Sequence, residues 1–106
     1  MPAETERSQK LRQMLEKSPG DTFLLYAMAM ENRKSGNLPA ALEYLDKVIQ
    51  HDWGYCYAYY QKGLILESTG DVEAARGVYR QGIDAATRKG DEHAKSEIAA
   101  ALNLLG

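Results

Sequence analysis

The sequence predicts an all-α fold of stacked antiparallel helix pairs, about six helices in a single domain. Three observations lead there. Small and apolar residues recur at a shift of 34 positions. Within each segment the apolar residues fall at helical spacing. Gly followed by Asn or Asp punctuates the segments at matching places. The strict alternation of a half-buried strand is absent.

The shift carries Gly36-Asn37 onto Gly70-Asp71, Ala40-Ala41 onto Ala74-Ala75, Ala29 onto Gly63 and Ile49 onto Ile83. Leu11, Leu45 and Tyr79 share one column, and Leu15, Ile49 and Ile83 another. Pro19, Trp53 and Thr87 form a third, each at a turn-like junction. One coincidence would mean little, but several columns sharing one shift are an internal repeat.

Taken in order, Thr5 to Lys17 is a half-unit helix with Leu11, Met14 and Leu15 on one face, stopped by Ser18-Pro19-Gly20. Thr22 to Lys34 has no Gly or Pro and is apolar on more than one face. Gly36 suits a left-handed helix end and Asn37 the cap of the next helix, where Pro39 is tolerated in the first turn. That helix shows Ala41, Leu42, Leu45, Val48 and Ile49 at helical spacing. The second unit repeats the plan: a helix from about Cys56 to Ser68, a stop at Gly70, and a helix capped by Asp71 reaching about Thr87, with Ala75, Val78, Tyr79 and Ile83 as its stripe. Asp91 caps a last helix to Leu105 carrying Ala94, Ile98, Ala101, Leu102 and Leu105. The expected organisation is one domain over 1–106: a half-repeat at 5–18, repeats at 21–54 and 55–88, and a capping helix at 91–105. The cap is expected to be needed for folding, because terminal repeats shield the open ends of such stacks.

Composition narrows the function. The 106 residues carry 13 Lys plus Arg against 15 Asp plus Glu, a net charge of −2 with no basic arm. Phosphate binding relies on clustered positive charge, so a nucleic-acid partner is not expected. No apolar run reaches the roughly 18 residues of a membrane span, and the polar start has no signal-peptide segment. One cysteine permits no internal disulfide, and a cytoplasmic protein is the expectation.

No catalytic constellation stands out. His51, Asp52 and Cys56 crowd one junction, and a thiol at a helix N-terminus can be activated. The alternative is a small residue filling space among Trp53, Tyr55 and Tyr57. His51 and His93 with one cysteine make no zinc signature. Carboxylates such as Glu43 and Asp46, or Asp71 and Glu73, sit at helix starts or on exposed faces, where the helix dipole explains them. Gly36, Gly70 and Gly90 are separated turns rather than a phosphate-cradling loop. No enzyme and no cofactor are expected.

The period, the Gly-Asn/Asp turn and the small columns resemble the tetratricopeptide repeat, whose signature runs W-x₂-L-G-x₂-Y, then A-x₃-F, then P. Unit one supplies Leu25, Met28, Ala29 and Asn32, then Ala41 and Leu45, then Trp53; unit two supplies Tyr59, Lys62, Gly63 and Leu66, then Ala75 and Tyr79, then Thr87. Asn32 stands for an aromatic and Lys62 for an aliphatic, and the closing proline survives only as Pro19. The resemblance spans about residues 5 to 105. It implies a right-handed α-solenoid and a protein–protein interaction module.

Each first helix carries a second apolar face outside those signature columns. Phe23, Tyr26 and Met30 form it in unit one, and Tyr57, Tyr60 and Leu64 repeat it in unit two. By the resemblance, this face looks into the concave groove where partner peptides lie. Arg33 and Lys34, further along the first helix, would favour an acidic group at one end of the ligand. A second copy of the chain, or plain core packing, are the other ways to occupy these residues. Tyr59 and Tyr60 are about 100° apart on one helix, so Tyr59 is expected in the core and Tyr60 on the groove side. Some relatives grip an acidic C-terminus with lysines, asparagines and an arginine. By the resemblance those positions fall at Tyr26, Met30, Gln61, Asp91 and Lys95, of which only Lys95 matches and Gln61 is a weak stand-in. A different ligand is implied.

Overall fold

The computed structural model describes residues 4–106. Residues 1–3, part of the expected domain, lie outside the described residues. Six helices account for the architecture, with no strand among the described residues: α1 Glu6–Lys17, α2 Thr22–Lys34, α3 Leu38–His51, α4 Cys56–Ser68, α5 Val72–Lys89 and α6 Glu92–Leu104. The chain forms two compact units, one holding α1 to α3 and ending at Asp52, the other Trp53–Gly106 with α4 to α6.

Local chemistry sets the helix starts. Thr5, Asp21, Asn37, Asp71 and Asp91 each accept a hydrogen bond from the backbone N–H three residues on, which satisfies one of the orphan donors of a helix N-terminus. Only α4 lacks such a side-chain cap, at Tyr55. The stops are equally local. Gly36 and Gly70 sit at φ 84° and 87°, left-handed backbone that a side chain would strain. The glycine stops put the ends of α2 and α4 at Lys34 and Ser68, as the sequence expects.

In unit 1, α2 packs along α3 and α1 along α2, closing on Leu11, Leu24, Leu25, Met28, Ala29 and Leu45. In unit 2, α4 packs along α5 and α5 along α6, which also touches α4. Tyr79, Ile65 and Ile98 are fully buried there. Gly82 is small because a Cβ would lie 2.8 Å from Tyr59 Cβ and 3.1 Å from Ile98 Cδ1. The α5 backbone thus lets α4 and α6 close upon it. Gly63 yields even more space: its Cβ would lie 2.1 Å from Tyr79 Cε1.

One expectation needs correction. The sequence places the end of α5 near Thr87, at a junction matching Pro19 and Trp53, but the helix runs to Lys89 and Thr87 lies within it, its Oγ1 bonded to the Ile83 carbonyl at 2.8 Å. The helix stops at the left-handed Gly90, φ 79°, and long-range contacts secure its last residues. Lys89 Nζ donates to the Gly54 carbonyl at 3.0 Å, the Arg88 guanidinium stacks 4.3 Å from the Trp53 ring, and Tyr59 donates its hydroxyl to the Trp53 carbonyl at 2.7 Å. The extra turn of α5 therefore holds the loop that leads into α4. Caps Asp21 and Tyr55 are 34 residues apart, whereas Tyr55 and Asp91 are 36 apart.

Candidate functional site

The helical wheel of α4 divides it cleanly. Ala58, Tyr59, Gly63 and Ile65 turn into unit 2 and are buried, while Tyr57, Tyr60, Leu64 and Glu67 follow one another at helical spacing on the opposite side, all half-buried. The Tyr57 and Tyr60 rings meet edge to face, 6.2 Å between centroids at 87°, the arrangement ring quadrupoles favour. Both pack against the buried cluster of unit 2. Neither is simply a free groove wall: Tyr60, expected on the groove side, also packs on the core of its own unit.

The half-buried side faces α6. Tyr60 and Leu64 line a cleft of about 300 Å³ with Ala100, Ala101 and Leu104 as further apolar wall and Glu67 and Glu97 as its carboxylates. Leu104 is 88% exposed, although large and apolar. Both carboxylates are anchored by phenols. Tyr57 donates its hydroxyl to Glu97 Oε1 at 3.1 Å, and Tyr79 donates its own, through the core, to Glu67 Oε2. His93 Nε2 also lies 2.6 Å from Glu97 Oε1. Partial burial first, then the hydrogen bond and charge of Glu97, and Asp91 beyond, push the Tyr57 phenol above its ordinary value.

In unit 1 the corresponding face of α2 is more open. Phe23 is 70% exposed, with Tyr26 and Met30 half-buried beside it at helical spacing. Arg33 is half-buried and Lys34 exposed in the last turn, where Lys34 also borders a depression with Arg7, Lys10 and Glu31 of α1 and α2. A separate polar cleft of about 280 Å³ lies among α1, α2 and α3, its Arg12 paired with Glu4 at 2.7 Å.

Glu67, Glu97, Ala100 and Leu104 were missed by sequence reasoning. The signal was present: His93, Glu97, Ala100 and Leu104 follow the same helical spacing as Tyr57, Tyr60, Leu64 and Glu67. It was obscured by carrying the 34-residue shift past α5. Counted from the caps, the position two after Tyr55 corresponds to His93, not Asp91, and Gln61 to Glu97, not Lys95. The one lysine that fitted an acidic-tail clamp is therefore out of register. Cys56 is buried, its Sγ donating to the Gly54 carbonyl at 3.3 Å, and so fills space in the loop junction. His51 lies on the exposed end of α3 in unit 1. Among the described residues no three His, Cys, Asp or Glu side chains are grouped to hold a metal ion, and no helix is long and apolar enough to cross a membrane.

The fold has known counterparts. The family model described as Tetratricopeptide repeat matches residues 57–88. A TPR repeat-containing protein of Pseudomonas aeruginosa is 26% identical over 95 residues, covering 90% of each chain. The solution structure of a tetratricopeptide repeat domain protein from Salinibacter ruber is 31% identical, with a TM-score of 0.78 over 82% of this chain and 88% of that one. A Bordetella parapertussis protein at 24% identity shares the fold, with a TM-score of 0.82 over 96% of this chain and 89% of that one.

Proposed function

The chain belongs to the tetratricopeptide repeat family, whose fold is generally a protein–protein interaction module, and from that premise we propose that it is an adaptor that binds a peptide or protein segment on the apolar faces of its first helices. The exposure of large apolar side chains on those faces carries the reading. Phe23 on α2 and Leu104 on α6 stand 70% and 88% exposed, beside half-buried aromatic and aliphatic neighbours. Contiguous apolar surface left open to water marks an interaction site. The binding residues are Phe23, Tyr26 and Met30 with Arg33 and Lys34 in unit 1, and Tyr57, Tyr60 and Leu64 in unit 2. The activity is binding alone, with no catalytic step or cofactor, in the cytoplasm, and with neither nucleic acid nor membrane as partner.

The test is capture from the native cell extract by the intact chain and by a Phe23→Ser/Leu64→Ser variant of unchanged circular dichroism. A protein retained by the first and lost by the second supports the reading. Equal capture by both would remove these faces from it. Light scattering separates the second reading, a scaffold that buries the same exposed Phe23 against another copy. A mass that rises with concentration, and falls back in the variant, would replace the partner by the chain itself.

A further inference from the structure

The walls of the α4–α6 cleft are unevenly charged. Glu67 and Glu97 lie on different helices, and no lysine or arginine lines the space they share with Tyr60, Leu64 and Leu104. The phenols that bind them do not neutralise them. Tyr79 and Tyr57 each give one hydroxyl hydrogen bond to one carboxylate oxygen, which fixes the carboxylate in place and leaves its charge and its second oxygen intact. Glu97 has His93 beside it; Glu67 has no cationic neighbour in the cleft. The volume, about 300 Å³, is at the small end of the range of about 300–1,000 Å³ for ligand pockets. It suits one or two side chains of a peptide rather than a whole small molecule.

Resting on the adaptor reading, we infer that this cleft selects a peptide segment in which an apolar side chain is followed by a basic one. The apolar group covers Leu64, Ala100 and the exposed Leu104; the cation sits between Glu67 and Glu97. Sequence position supports the commitment to this chemistry. The 34-residue shift sets Arg33 of α2 in the column of Glu67, so the same place on the helix carries a cation in unit 1 and a carboxylate in unit 2. Binding a cation there uses charges already oriented by the Tyr79 and Tyr57 phenols, so little is lost in ordering them on association.

The experiment titrates the full chain, isotope-labelled for NMR, with three acetylated and amidated heptapeptides that differ only in the residue after a central leucine: lysine, glutamine or glutamate. The lysine peptide is expected to shift the amides of Leu64, Ala100 and Leu104 and to bind about fivefold tighter than the glutamine one, the worth of partly exposed ion pairs, with the glutamate peptide weakest. In Glu67→Gln/Glu97→Gln the two phenols keep an acceptor, so folding is preserved and checked by the melting temperature, and the lysine advantage should vanish. Equal affinity for the three peptides, a preference for glutamate, or a lysine advantage that survives in the double variant would overturn the inference. In each of those cases, shifts confined to α4 and α6 would leave the adaptor reading standing. Absence of shifts with every peptide would overturn the inference too, and the extract capture above would then decide the broader reading separately.

Discussion

Units 1 and 2 build the same helix pair at the same offset, yet they fill its centre with different shapes. In α2 and α3 the paired columns hold Ala29 and Leu45; in α4 and α5 they hold Gly63 and Tyr79, and Ala29, Leu45 and Tyr79 are all fully buried. The larger residue on one helix is matched by the smaller on the other, so close packing is kept while the contents change. The exchange has a use beyond volume. Only the tyrosine reaches across the core to give its hydroxyl to Glu67, so in unit 2 a core residue orients a cleft residue. Unit 1, with leucine in that column, has no hydroxyl there to give.

The harshest way to break the comparison is to remove α6 by deleting residues 91–106. Loss of Ala94 and Ile98, both fully buried, would expose Gly82 and the cluster of Cys56, Tyr79 and Ala86 that they complete. Unit 2 is expected to lose its cooperative melt, read by circular dichroism. A truncated chain that melts like the whole one would show α6 to be an appendage.

Tyr59→Ala is expected to cost about 3–5 kcal/mol in chemical denaturation, as for other buried aromatics. The change also removes the hydroxyl that holds the Trp53 carbonyl. A cost near zero would mean that the ring is not part of the unit 2 core.

Gly63→Ala sharpens the comparison directly, because its new methyl would run into the Tyr79 ring. Overpacking of this kind costs about 1–3 kcal/mol. Adding Tyr79→Leu recreates the Ala–Leu pair of unit 1 and should recover most of that loss, whereas Tyr79→Leu alone should be destabilising. Non-recovery would show that the two columns do not exchange volume.

The exposed faces should differ less. Tyr60→Ala is expected to cost about 1 kcal/mol from its edge-to-face contact with Tyr57, and Phe23→Ala no more than about 0.5 kcal/mol, as for an exposed site. Equal, large losses at both would make these faces ordinary core.

The smallest effect is one of pH. Tyr57 has its phenol raised in the folded protein, so the folded state favours the neutral form. That contribution is complete below the ordinary tyrosine value of about 10 and is lost as pH climbs through the raised one. The stability difference between wild type and Tyr57→Phe should therefore be flat at neutral pH and shrink in alkali.

What could be read from the sequence follows from which forces are local. Left-handed glycines act within a few residues, so the ends of α2 and α4 were placed correctly from Gly36 and Gly70. The end of α5 is announced locally too, by Gly90 at φ 79° with Asp91 capping the next helix, but carrying the 34-residue shift onto Thr87 passed over that stop. The two-residue slip that followed hid His93, Glu97 and Leu104 from the binding face. The aromatic stripe itself was visible. How deeply Tyr57 and Tyr60 would sink against α6 was not, because burial is a property of the neighbouring helix.

The loop held by the last turn of α5 also gives the molecule an optical address. Trp53 is its single tryptophan, half-exposed and stacked under the Arg88 guanidinium in unit 2. Indole emission, excited at the red edge where tyrosine is silent, is therefore a local gauge of the second unit, whereas the far-ultraviolet helical signal sums over both. Overlaying the two traces on heating turns the chain into its own test of whether its halves melt as one body or in sequence, with no label attached.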